Sequence, residues 1–171
     1  MREGVTARRY HGSASRLPML FLRALIAFLV LPGIVAFLAP ALLVASIETS
    51  TPHGEGVAVF VAGALVLLWC VRDFYVAGKG TLAPWDPPRH LVRFGLYRFS
   101  RNPMYVGVLL ILIGWTLAFR SRSLLIYTVV VAILFHARVV TNEEPWLART
   151  FPDEWPRYKA RVPRWLIGRR D

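Results

Sequence analysis

The feature that most constrains this chain is the length of its uncharged stretches. Residues 24–47 contain no charged side chain. Residues 57–71 are apolar, and the pattern continues past Arg72 and Asp73 to Ala77. Residues 103–119 and 124–137 are also free of Lys, Arg, Asp and Glu, and residues 139–142 extend the last stretch. A bilayer core about 30 Å thick takes roughly 20 apolar residues in a helix, with about 17 at the low end. These stretches predict an all-α polytopic membrane protein with four transmembrane helices. The second and fourth are short unless Arg72 and Arg138 reach an interface or face the bundle interior, because a cation in hydrocarbon is costly. Pro32 and Pro40 lie inside the first stretch and predict kinks there. A secretory signal would explain the basic start and the small residues at Val44, Ala45 and Ser46. The apolar run, however, exceeds the roughly 7–15 residues of a signal core.

The net charge is +11, from 21 Lys and Arg against 10 Asp and Glu, in a chain that is 56% hydrophobic. Mapping that charge explains it. Arg120 and Arg122 are the only two basic residues on the short connections after the first and third stretches. The rest lie on the N-terminal segment, on the connection between the second and third stretches, and on the C-terminal segment. The excess of basic residues on cytoplasmic segments then places both termini and the middle connection in the cytoplasm. Loop 78–102 and tail 143–171 form a polar body on that one side, where a soluble cofactor has access. The bias is an orientation signal, and it names no anionic partner. Nucleic acid is not expected, because the basic residues are divided by membrane spans and no DNA-binding motif is present. Cys70 is the one cysteine, so no internal disulfide forms. The 19 Arg against 2 Lys fit a GC-rich genome; the expected location is a bacterial inner membrane.

Two segments carry chemistry. In loop 78–102, Gly78, Gly80, Pro84, Pro87 and Pro88 exclude a regular helix in the first half, and Trp85 is an interfacial anchor. Asn102 followed by Pro103 is a helix start, because Asn caps well and Pro suits the first helical position. Its free N–H groups suit an anion. Tyr105 and Gly107 sit on the first turn, and Gly107 permits close approach of another backbone or a ligand. In the tail, Glu143 and Glu144 are adjacent and point about 100° apart on a helix, so they do not grip one metal together. His136 shares the face of Glu143 and reads as a packed or cofactor-lining side chain. No third metal ligand accompanies it, and no metal site is expected. Trp146, Leu147, Phe151, Trp155, Tyr158, Val162, Trp165 and Leu166 alternate with Arg and Lys, the composition of an interfacial segment.

Read together, GLYRFSRNPMYVG, a helical hairpin, and NEEPWLARTFPDEWPRYKARVPRWL resemble the isoprenylcysteine carboxyl methyltransferase family, grouped with the membrane phospholipid methyltransferases. The resemblance covers residues 78–166 of a single domain spanning 1–171. It implies an integral-membrane methyltransferase using S-adenosyl-L-methionine, held on the cytoplasmic side, with a lipophilic small molecule or lipid as methyl acceptor. The positions that match as cofactor contacts are Arg89, His90, Leu91, Val92, Tyr97, Asn102, Pro103, Met104, Tyr105, Glu143 and Glu144. The family's His is Asn102 here; Asn keeps a donor and an acceptor but does not titrate. An Arg that holds the acceptor carboxylate in the eukaryotic enzymes corresponds to Arg138, one residue out of register. His90 is the candidate base for an amine or hydroxyl acceptor. Two other readings remain open: an NADPH-dependent reductase of the sterol-reductase type, and a non-catalytic membrane scaffold. The reductase is favoured by a C-terminal His-Tyr element, where this tail has Glu-Glu.

Overall fold

A computed structural model describes residues 32–46, 51–77 and 91–166, excluding the side chains of 74–77. Among these residues the chain is helical and has no strand. Helix α1 spans Ile34–Ala45, α2 Gly54–Ala77, α3 Pro103–Phe119 and α4 Arg122–Arg138. A π-helical turn, Val139–Glu143, leads without a break from α4 into α5, Glu144–Thr150; α6 is Trp155–Arg161.

Among the described residues, two helices are long and apolar enough to cross a membrane, Gly54–Asp73 and Arg122–Thr150. These are the second and fourth stretches, the two whose length had depended on an Arg reaching an interface. The fourth runs through Arg138 and on by about three further turns, past Pro145, which sits in the first turn of α5 directly after the π-helical turn. The third stretch forms a 17-residue helix. Leu65, Leu68 and Trp69 on α2, and Ile126, Ile133 and Leu134 on α4, present large apolar side chains outward. Such continuous apolar surface fits lipid contact.

The core is the pair α2 and α3. A Cβ on Gly63 would lie 2.6 Å from the backbone nitrogen of Ile111, and one on Gly107 would lie 3.0 Å from that of Leu67. The two backbones therefore meet directly, as small residues allow between apolar helices. Gly107 thus serves helix packing; what approaches it is α2. Leu67, Val108, Ile111, Leu112 and Val131 fill the centre.

Pro40 shapes α1. It has no N–H, so the carbonyls four and five residues earlier, Ala36 and Val35, lose their helical partner. The helix widens into a π-helical turn at Ile34–Leu38. Trp115 Nε1 of α3 donates to the Ala36 carbonyl at 3.0 Å, and Tyr127 Oη of α4 donates to that of Val35 at 3.0 Å. The kink is thereby satisfied by the two neighbouring helices. Between α3 and α4, beside the start of α2, Arg120 turns the chain with φ 46° and Ser121 caps α4.

Candidate functional site

The polar residues gather where α2 ends, α3 begins and α4 passes into the tail. Asn102 and Pro103 start α3 as the sequence predicts, but the Asn102 side chain does not cap the helix. Its Nδ2 donates to the Arg164 carbonyl at 3.1 Å. Arg101 N–H donates to the Pro163 carbonyl at 2.9 Å, and Ser100 Oγ donates to the Arg164 carbonyl at 3.3 Å. The loop before α3 is thus stitched to the tail by backbone and side chain alike.

Glu144 closes this joint. Arg101 Nη1 donates to its Oε1 at 2.9 Å. Arg164 donates Nε to Oε1 at 2.8 Å and Nη2 to Oε2 at 3.1 Å. The paired bonds from Arg164 use the fork geometry that makes Arg–carboxylate contacts specific. The Arg101 side chain is 2% exposed and lies under Trp155, with its guanidinium carbon 5.7 Å from the ring centre. Trp155, Tyr158 and Val162 form the tail's own core, joined by Leu91, Leu147 and Phe151.

Glu143 faces another way. Tyr105 Oη donates to its Oε1 in a short hydrogen bond, and Arg138 Nε donates to the same oxygen at 2.9 Å and to Tyr105 Oη at 3.2 Å. Tyr105 is held against Phe135, ring centres 4.4 Å apart. This group is open: the Arg138 side chain is 47% exposed and that of Glu143 30%. Glu143 Oε2 and both terminal nitrogens of Arg138 have no partner among the described residues. One carboxylate oxygen and one guanidinium fork are therefore available side by side.

Of the sequence-predicted positions, Leu91 and Val92 diverge. Leu91 packs into the tail core, and Val92 packs with Cys70 and Tyr97 against α2. Met104 joins that second cluster. Burial pushes the Tyr97 phenol well above its usual range; Cys70 and Tyr158, then Asp73 and Glu143, add to the shift by opposing a phenolate. Tyr97 is thus within electrostatic reach of both Asp73 and Glu143. Tyr158 Oη donates to the Tyr97 carbonyl at 2.8 Å, and Arg93 pairs with Glu154 at 2.9 Å, so the tail also grips this segment. Arg89 and His90 lie outside the described residues. His136 accepts at Nδ1 from Trp165 Nε1 at 3.3 Å. The neutral ring then carries its proton on Nε2 and offers a donor there.

Three residues escaped the sequence reading. Arg101 and Arg164 counted only toward topology, and their shared partner is 43 and 20 residues distant. Asp73 counted as the polar end of a span. It is 2% exposed, one oxygen lies 3.3 Å from Arg72, and Oδ2 has no hydrogen-bond partner.

The phospholipid methyltransferase profile matches residues 53–154. The chain belongs to the phospholipid methyltransferase family. The match runs from the start of α2 to the turn before α6 and includes Tyr105, Arg138, Glu143 and Glu144. An uncharacterized protein of Haemophilus influenzae is 35% identical over 63 residues, 37% of this chain and the whole of that protein. No solved structure matches. Membership in this family carries methyltransferase activity and association with membranes, which agrees with the two membrane-length helices.

Proposed function

We propose that this chain is an integral-membrane methyltransferase that takes a methyl group from S-adenosyl-L-methionine and delivers it to a lipophilic acceptor, by carboxylate O-methylation or lipid methylation. The observation that carries the reading is the open Tyr105–Arg138–Glu143 group, set inside the family match at the end of the two long helices. The donor set fits the cofactor. Glu143 Oε2 is an acceptor with no partner among the described residues, on a side chain 30% exposed, and Tyr105 packed on Phe135 provides aromatic surface beside it. When bound, the cofactor supplies a sulfonium-activated methyl group.

The residues then divide the work. Glu143 offers a carboxylate oxygen to a positively charged ligand group. Tyr105 and Arg138 fix that carboxylate by sharing its other oxygen. The free fork of Arg138 orients an anionic acceptor, a carboxylate or a phosphate-bearing headgroup. A carboxylate acceptor needs no general base, so positioning alone serves it; well-oriented reactants can account for about 7–11 kcal/mol of a barrier. Glu144, with both oxygens bound by Arg101 and Arg164, acts by holding the tail over the site. We read all four apolar stretches as spans and residues 1–171 as one domain. The site then faces the cytoplasm of a bacterial inner membrane, because Arg72, Arg93, Arg98, Arg101 and the basic tail share that end. The acceptor reaches it sideways from the bilayer.

Calorimetry of the purified protein in detergent tests this. Heat is expected with S-adenosylhomocysteine and none with NADPH. Heat with NADPH alone would assign the chain to the sterol-reductase type, and heat with neither would make it a scaffold.

A further inference from the structure

The short helical turn Gly95–Arg98 sits at the level where α2 leaves the membrane. A Cβ on Gly95 would lie 1.8 Å from the Asp73 carboxylate, so the turn meets Asp73 directly. Asp73 is the last residue of the part of α2 long and apolar enough to cross a bilayer. Val92 and Tyr97 cluster with Cys70, and Leu96, Met104 and Val66 pack on them. Val66 lies about 10 Å further along α2, at 1.5 Å per residue. The segment before α3 therefore reaches the boundary of headgroups and hydrocarbon. Its backbone is satisfied as that depth requires. Tyr97 N–H donates to the Phe94 carbonyl at 3.2 Å, and the N–H groups of Phe99 and Ser100 donate to the Leu96 carbonyl at 3.1 and 3.3 Å.

The outer side of this segment is aromatic and cationic. Phe99 is 63% exposed and Phe94 40%. Arg98 is exposed and has no partner among the described residues. No acidic residue occurs from 91 to 102. The acids that approach it from other elements are spent: Asp73 is buried, Glu154 pairs with Arg93, and Glu144 pairs with Arg101 and Arg164. Exposed rings beside an unpaired Arg suit the headgroup layer, where the rings enter the apolar edge and the cation stays among negative charges. The tail aromatics do not supply this surface, because Trp155 and Tyr158 are buried in the tail's own core.

We infer that Phe94, Arg98 and Phe99 form an interfacial docking surface for anionic phospholipid, the two rings at the level of the upper acyl chains and Arg98 against the headgroups. The inference rests on α2 crossing the bilayer and is independent of the methyl-transfer chemistry. Ser100 and Arg101 follow this surface directly and bind the tail. Docking therefore also sets the height of the tail over the membrane.

The test places a fluorophore on Phe99→Cys in the full chain, in nanodiscs of phosphatidylcholine. Cys70 is buried and does not compete for the label. The quenchers are aqueous iodide, and phosphatidylglycerol or phosphatidylcholine carrying a nitroxide high on one acyl chain. Both lipids should quench and iodide should not. Phosphatidylglycerol should act at about one fifth of the dose that phosphatidylcholine needs, the preference expected of one basic residue at an anionic surface. Adding Arg98→Gln should bring the two doses together. Quenching by iodide and not by lipid would overturn the docking surface. Equal doses with Arg98 in place, or a preference that survives Arg98→Gln, would overturn the pairing of Arg98 with anionic headgroups. Helical circular dichroism reports folding, and should Phe99→Cys fail to fold, Phe94→Cys carries the same expectations. No cofactor enters the measurement, so its failure leaves the methyltransferase reading standing.

Discussion

Glu143 and Glu144 are neighbours in sequence and opposites in situation. Glu144 is 12% exposed at its side chain, and both oxygens are held by Arg101 and Arg164. Glu143 is 30% exposed, shares one oxygen between Tyr105 and Arg138, and leaves the other facing outward. The junction between the π-helical turn and α5 falls between them, so they project from different registers of one continuous helix. A paired acidic motif therefore need not be a paired function. Here one carboxylate fastens the tail and the other keeps an oxygen open, the one to which the proposed function assigns the ligand.

The comparison breaks most visibly at Glu144. Glu144→Ala takes the Glu144 carboxylate away from both Arg101 and Arg164, and removing one partner of a buried pair costs about 3–5 kcal/mol. Thermal unfolding in detergent should show a large loss, together with early proteolysis of the tail after residue 150. A variant as stable as wild type would make the two glutamates alike. Glu143→Ala should behave in the reverse way. Its fold persists, while S-adenosylhomocysteine binding weakens more than tenfold, about 1.4 kcal/mol. Unchanged binding would place the ligand elsewhere. Tyr158→Phe probes the tail's grip on the Tyr97 segment by removing the 2.8 Å bond to the Tyr97 carbonyl. A loss of about 1 kcal/mol is expected in the same unfolding measurement.

The smallest effect is on the pH dependence. Burial raises the Tyr158 phenol above its ordinary value, although Arg101 and Arg93 pull it the other way. The folded chain then keeps this proton at a pH where the unfolded chain, with a phenol near about 10, loses it. The stabilisation is complete below about pH 10 and is lost as pH rises toward the folded value. Melting temperatures measured between pH 8 and 11 should fall above about 10, less steeply in Tyr158→Phe. An identical slope in both would show that the tail does not shield this phenol.

Much of this organisation is legible in order and composition. Uncharged length marks the helices, since a backbone in lipid is satisfied only in helices or closed barrels and barrel strands need only about 9–11 residues. Pro40 announces a disturbed turn, and Asn102-Pro103 a helix start. Tyr105, Arg138 and Glu143 were each identifiable because a motif surrounds them. Other features could not be read this way, because they depend on approach in space. The Asn102 side chain was expected to cap its own helix and is drawn instead to the tail carbonyl of Arg164. Arg101 and Arg164 were indistinguishable from topology charges until the tail folded back onto Glu144.

By itself, then, the amino-acid order determined which segments are apolar enough for lipid, which end carries the polar body, and which family motifs lie on it, because periodicity and charge are local properties of the chain. Only the tertiary structure decided that one glutamate is buried between two arginines while its neighbour stays open. It also decided that Asp73, an unremarked residue at the end of a span, rests with an unfilled oxygen against Gly95. Burial and hydrogen-bond satisfaction are properties of surroundings, and these surroundings are assembled from residues tens of positions apart.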